Sequence, residues 1–160
     1  MSTFKIKMAT PRDRIWMRQF LAEHWGSHLL VSRGRIYDAS LLPAFIAHIG
    51  DKPVGLCTYH RIADQLEITS LNSLQENIGI GSALISAILK KAKQQKCRRI
   101  WLITTNDNLH ALGFYQRRGF TFCRIYPDQI ELSRQLKPEI PLYGQNGIPI
   151  RDELELEILL

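Results

Sequence analysis

Apolar and polar positions change rhythm several times along this chain, and each change predicts an element. Phe4 to Met8 alternates, the period-two signature of a strand with one buried face. Thr10-Pro11 supplies a capping hydroxyl followed by proline, which predicts a helix start. Ile15, Trp16, Gln19, Phe20 and Glu23 trace its turns, with Ile15, Trp16 and Phe20 on one side and Gly26 as the expected stop. Leu29 to Ser40 keeps no clean period; within it Ser32-Arg33-Gly34-Arg35 reads as a turn between short extended pieces. Ala44 to Ile49 and Pro53 to His60 are strands flanking the hairpin connection Gly50-Asp51-Lys52. Gln65 to Leu71 follows, with Leu66, Ile68 and Ser70 facing one way and Glu67 and Thr69 the other.

From Gly79 the rhythm turns helical. Ile80, Ala83, Leu84, Ala87, Ile88 and Ala92 recur on one face as far as about Gln95. Arg99 to Thr105 is nearly all apolar, as expected of a strand covered on both faces. Asn108 to Arg117 is a short helix that Asn106, Asp107 or Asn108 would cap, and Phe120 to Tyr126 returns as a strand. Asp128 to Leu136 predicts a helix ended by Lys137-Pro138, and Pro141 to Pro149 a loop. Glu153 to Ile158 alternates strictly, a last strand expected beside Phe120–Tyr126 with its carboxylates outward. Residues 128–149 thus read as an insertion before the last strand. Antiparallel strands, then strand-helix-strand-helix, define an α/β (α+β) class with a mixed, largely antiparallel central sheet flanked by helices.

Composition narrows the setting. A chain of 160 residues, 45% hydrophobic and 22% charged, is expected to be a single soluble domain over residues 1–160. Met1 to Thr10 lacks the apolar core of a signal peptide, and no apolar run is long enough to span a bilayer, so no membrane partner is expected. Cys57, Cys97 and Cys123 are far apart and show no Cys-x-x-Cys spacing, which fits a reduced, cytoplasmic setting. The net charge of +6 gathers at Lys90, Lys91, Lys93, Lys96, Arg98 and Arg99. These cations suit the end of a solvated helix, and their charge is compatible with attraction for an anionic cofactor. No aromatic residue interleaves with them, so no nucleic-acid partner is expected. His24 and His28 have the spacing of two metal ligands, but Gly26 intervenes and no carboxylate completes a site; no metal is expected.

The chemistry begins at Ile78-Gly79-Ile80-Gly81-Ser82. Glycines at a helix start let main-chain N–H groups approach a ligand, and those first groups have no partner within the helix. With the helix dipole they make a site for a pyrophosphate, although the same glycines also serve tight helix–strand packing. A second motif follows, with Asn108, Ala111, Phe114 and Tyr115, then Gly119-Phe120. The two together resemble the GNAT superfamily of acetyl-CoA-dependent N-acetyltransferases. That family's turn has the form (Gln/Arg)-x-x-Gly-x-(Gly/Ala). Gly79 and Gly81 fit it, while Glu76 departs from the Gln/Arg position and Gln75 stands one residue early.

The resemblance implies a GNAT-like fold and an acetyl group moved from acetyl-CoA to a primary amine by direct attack in a ternary complex. Three needs follow: a base to take the amine's proton, donors for the oxyanion, and an acid for the departing thiolate. Tyr115 is the implied acid, its phenol protonated at neutral pH with an ordinary pKa of about 10. Glu67 is the implied base, with Glu153 or water in reserve. Leu71, Asn72 and Ser73 would hydrogen-bond the pantetheine arm, with main-chain N–H groups near Leu71 as oxyanion donors. Ile78, Gly79, Ile80, Gly81 and Ser82 would hold the pyrophosphate, and Asn108, Ala111, Phe114 and Tyr115 would complete the cofactor contacts. Arg33, Tyr37 and Asp38 are the acceptor candidates, because the family builds its acceptor pocket partly from that region. Small-molecule and peptide amines both remain as acceptors, and pairing into a homodimer is common among similar proteins. A non-catalytic acyl-CoA-binding regulator would keep Gly79, Gly81 and Asn108. A dinucleotide module would want a third glycine and an acidic residue on the next strand, and Ile100 to Thr105 has none.

Overall fold

The computed structural model describes residues 3–160, so the first two positions of the stretch read as leaderless lie outside it. The strands are β1 (Lys5–Met8), β2 (Leu29–Ser32), β3 (Arg35–Asp38), β4 (Ala44–Ile49), β5 (Lys52–Ile62), β6 (Gln65–Ser73), β7 (Arg99–Thr105), β8 (Thr121–Tyr126) and β9 (Glu153–Leu159). The helices are α1 (Arg14–Trp25), α2 (Ile80–Gln94), α3 (Leu109–Gln116) and α4 (Gln129–Leu136). The fold is the expected mixed α/β class, its sheet largely antiparallel and flanked by helices. Two compact units divide the chain: the part up to Leu30 with Asp38–Ile100 and Leu160, and Val31–Tyr37 with Trp101–Leu159.

In the first unit the strands lie in the order β1-β4-β5-β6, each pair antiparallel. A 3-10 turn over Pro11–Asp13 leads into α1, with the Thr10 N–H donating to Asp13 Oδ2 at 2.7 Å. Gly26 closes α1 at φ 76, a left-handed conformation that favours glycine. The buried stripe of α1 is Met17, Phe20 and Leu21, whereas Ile15 is 75% exposed. Ile15 was expected inward, but it stands two residues before Met17, about 200° round the helix, so both cannot face the core. The stripe packs with Leu30, Ala39, Ala44, Ile46 and Leu56, with Trp16 partly buried against it.

The α2 helix buries Ile80, Leu84, Ile85, Ile88 and Ala92 and packs across β4, β5 and β6. Its first turn comes very close to the sheet. A Cβ on Gly55 of β5 would stand 2.8 Å from Ile80 Cγ2 and 3.3 Å from the Asn72 carbonyl oxygen. Only a residue without a side chain permits that approach.

In the second unit the strand order is β7-β9-β8, with β8 and β9 antiparallel. The last strand pairs beside β8 as expected, but both of its faces are covered, since Leu156 on the opposite face is fully buried as well. Glu153 and Glu155 are each 2% exposed, so the carboxylates that alternation placed outward are enclosed. Polar partners from distant segments make this tolerable, because a buried charge is stable only when it is hydrogen-bonded or paired. The segment between α4 and β9 is held by Arg134, which donates to the carbonyls of Ile140, Pro141 and Ile150 at 3.3, 2.9 and 2.8 Å. Gly144 then rests against Asp107 so closely that no Cβ would fit there. Among the described residues no helix is long and apolar enough to cross a membrane.

Candidate active site

The glycine turn lies in the first unit, where β6 ends and α2 begins. Gly79 occupies the cap position at φ 89, ψ 7, and its missing Cβ would meet nothing within 4 Å. Conformation therefore demands glycine here, and the space beside the turn is open. Glycine has no side chain with which to cap, so the first N–H groups of α2, at Ile80 and Gly81, end the helix without one. Ile80 is buried while Gly79 and Ser82 are exposed, so the apolar side anchors the turn and the polar side faces outward. Such a cradle fits a pyrophosphate, through oriented amides and the positive end of a 15-residue helix.

The strand leading into the turn carries a second irregularity. In the β5–β6 pairing Thr58 faces Ser70 but Tyr59 faces Ile68, so Thr69 is an extra residue on β6. The Thr58 hydroxyl lies 2.7 Å from Thr69 Oγ1 and 2.6 Å from Ser70 Oγ, so the side chains at the bulge bond one another. A bulge re-aims the main chain that follows it, here Leu71, Asn72 and Ser73. Trp25 Nε1 donates to Asn72 Oδ1 at 2.5 Å, tying the end of α1 to this stretch. Glu67 sits on the same strand opposite His60 and is 1% exposed. Cys57 is wholly buried, which pushes its thiol far above the ordinary value and leaves it inert.

The second motif lies in the other unit. Asn108 is the cap of α3, its Oδ1 accepting from the Ala111 N–H at 3.2 Å. Asn106 has different work: Oδ1 accepts from the N–H groups of Arg151 and Asp152, both at 3.0 Å, and Nδ2 donates to the Pro149 carbonyl. Asn106 is thus consumed in joining the end of β7 to the approach to β9, whereas the Asn108 NH2 is not used by the cap. Ala111 and Phe114 are half-buried on α3. Tyr115, in the last turn, is 8% exposed, its ring edge-on to Phe114 and Phe120 at 5.1 and 5.3 Å. The Phe120 N–H donates to the Tyr115 carbonyl at 3.1 Å, closing the motif on itself.

The three acceptor candidates part company. Asp38 caps a 3-10 turn, accepting from the Ser40 N–H and hydroxyl at 3.1 and 2.6 Å. Tyr37 is half-buried on β3. Arg33 forms the β2–β3 turn with Gly34, at φ 50 and 73, and reaches the two enclosed carboxylates. Its N–H donates to Glu153 Oε2 at 3.1 Å, and its Nη1 stands 3.9 Å from Glu155 Oε1. Burial pushes the Glu153 carboxyl above the ordinary glutamate range, against the pull of the Arg33 N–H and the Ser133 hydroxyl.

Three features escaped the sequence reading. Gly55 was readable in principle, since an isolated glycine in an apolar strand marks a close approach. The extra residue Thr69 left no mark in the alternation of β6. Tyr126 and Glu155 became partners only through the pairing of β8 with β9. Among the described residues, no group of three His, Cys, Asp or Glu side chains is placed to hold a metal ion.

Comparison with known proteins agrees with this architecture. The Acetyltransferase (GNAT) family matches residues 11–120, and the chain belongs to that family. It is 43% identical over 139 residues to the uncharacterized protein YdhI of Bacillus subtilis (strain 168), spanning 86% of this chain and 87% of that one. Its fold resembles a Bacillus subtilis acetyltransferase in complex with CoA, at TM-score 0.69 and 20% identity over 99% of both chains. It also resembles a GNAT family acetyltransferase from Elizabethkingia anophelis with acetyl-CoA bound, at TM-score 0.71 and 17% identity over 100% of both chains.

Proposed function

We propose that this protein is an acetyl-CoA-dependent N-acetyltransferase that acts on a primary amine, small-molecule or peptide, by direct attack in a ternary complex. The observation that carries the reading is the uncapped start of α2, set by Gly79 at φ 89 with open space beside it, in a chain of the GNAT family. In this reading the amides from Ile78 to Ser82 bind the pyrophosphate, and Leu71, Asn72 and Ser73 hold the pantetheine arm as a neighbouring strand would. Asn108, Ala111, Phe114 and Tyr115 serve the same cofactor from the second motif. Acetyl-CoA, when bound, supplies an activated acyl group.

The residues then divide the proton work. Glu67, or a water it orients, takes the proton that the attacking amine must lose, with Glu153 the alternative base. Main-chain N–H groups beside Leu71 stabilise the negative oxygen, and the bulge at Thr69 supports that role by re-aiming the chain there. Tyr115 returns a proton to the departing thiolate. The chain would act as one catalytic domain, without a metal, in the reducing cytoplasm that suits its three free cysteines, and pairing of two copies is compatible with this. Calorimetry with CoA at modest salt, followed by thiol release from acetyl-CoA across an amine panel, tests the reading. Binding with amine-dependent release upholds it; binding without release under any amine makes the protein an acyl-CoA sensor, and no heat with CoA overturns both.

A further inference from the structure

The turn between β2 and β3 contains a residue that its backbone disfavours. A two-residue turn with both φ values positive normally recruits Asn, Asp or Gly at its first position, and here that position is Arg33. A long side chain held at φ 50 costs about 1 kcal/mol or more relative to glycine. Something else must favour arginine there, and the contacts of its side chain and N–H name it.

Glu153 and Glu155, two apart on β9, share a face and are both enclosed. Glu153 accepts from the Arg33 N–H at 3.1 Å through Oε2 and from the Ser133 hydroxyl at 3.3 Å through Oε1. Glu155 accepts from the Tyr126 hydroxyl at 2.8 Å through Oε1 and from the Cys123 thiol at 3.2 Å through Oε2. The Arg33 guanidinium lies 3.9 Å from Glu155 Oε1, and its Cζ stands 4.7 Å from the centre of the Tyr126 ring. The hairpin tip is therefore held at its main chain by one carboxylate and at its side chain by the other, with an aromatic face beneath the cation. Residues 31–37 accordingly group with the second unit, although the chain on either side of them belongs to the first.

We propose that Glu153 and Glu155 are positioning residues that latch the hairpin tip at Arg33, Glu153 by accepting from its N–H and Glu155 by facing its guanidinium, and so fix the segment 31–37 which meets the acceptor amine. The part concerning the acceptor rests on the N-acetyltransferase reading above; the latch itself does not. Weakening either contact leaves the β9 side chain in place but frees the tip, which loosens the acceptor's surroundings without touching the cofactor turn.

Amide hydrogen exchange on the full chain tests the latch directly. Glu155→Gln and Arg33→Ala should each speed exchange in segment 31–37 about tenfold or more, while α2 keeps its protection. Arg33→Lys, which keeps the charge but loses the planar fork, should recover part of it. Because a buried Glu→Gln change can unfold a domain, Arg33→Ala, 44% exposed at its side chain, carries the test if Glu155→Gln does not fold. Unchanged exchange in Arg33→Ala overturns the proposal. Kinetics then use the best acceptor among spermidine, benzylamine and a tetrapeptide. Amine KM should rise several-fold in the latch variants, with acetyl-CoA KM unchanged; faster exchange with an unmoved amine KM overturns the positioning role. If no amine is acetylated, the function reading fails, and faster exchange still upholds the latch.

Discussion

Two helix starts in this protein solve one electrostatic problem in opposite ways. The α3 helix begins at Asn108, whose side-chain oxygen accepts from the Ala111 N–H and closes the end with the chain's own atoms. The α2 helix begins at Gly79, which has no side chain to offer and leaves the first amides to whatever arrives. A closed start stabilises its helix by about 1 kcal/mol. An open start forgoes that and keeps oriented donors for an anion. In the proposed function the two starts contribute differently, α2 through its main chain and α3 through the side chains it presents, Tyr115 foremost.

The sharpest way to test that division is at α3. If Tyr115 is the acid of the proposed mechanism, Tyr115→Phe should lower turnover at saturating acetyl-CoA by about a hundredfold while binding changes little. Turnover that stays at the wild-type level across pH removes Tyr115 from the chemistry. Next in size is the seat of the open start. Gly55→Ala drives a methyl into Ile80 and should cost about 1–3 kcal/mol in urea unfolding, with weaker CoA binding in calorimetry as the first turn of α2 shifts.

The two cap positions come third. Gly79→Ala imposes a left-handed conformation on a residue with a side chain, a cost of about 1–2 kcal/mol, and should weaken CoA binding in calorimetry. Asn108→Ala should cost about 1 kcal/mol by loss of the cap, whereas Asn108→Ser restores the acceptor oxygen and with it the stability. If Asn108→Ser also binds CoA as tightly as wild type, the residue is a cap and nothing more. The smallest effect is graded by pH and belongs to Glu153. Its carboxyl binds a proton in the folded state at pH values where an unfolded glutamate, titrating near about 4.3, has released it. The folded state is then favoured by acid, so this group's contribution to stability grows as pH falls from neutral toward that ordinary value and levels off below it. Urea unfolding across that window should show the trend in wild type and not in Glu153→Gln.

Much of this was legible in the order of residues. The strands from Phe4 to Leu71, the α2 period, the glycine stop at Gly26 and the asparagine start of α3 all stand within a residue or two of expectation. Local chemistry sets them, and local chemistry is what a sequence displays. The failures share a different cause. The alternation of β9 implies one open face, yet Leu156 on one side and Glu153 and Glu155 on the other are all enclosed. What makes the enclosed Glu153 tolerable is Arg33, 120 positions away, together with Ser133 of α4. Ile15 failed because a stripe of apolar residues can be drawn with more than one phase when the helix is only 12 residues long. At the site, the motif residues were readable, while the bulge at Thr69 and the close approach at Gly55 are consequences of pairing and packing.

Arg134 offers a last lesson. One guanidinium binds three carbonyls around the loop that follows α4, and the main-chain pairing of Tyr143 with Pro149 closes the loop's tip, so its path is set by backbone contacts and by a single side chain. Residues on its outer side, such as Leu142 and Tyr143, can then be exchanged while the path persists. Changing the outward side chains there would alter what the loop can meet without disturbing the arginine that holds its curve.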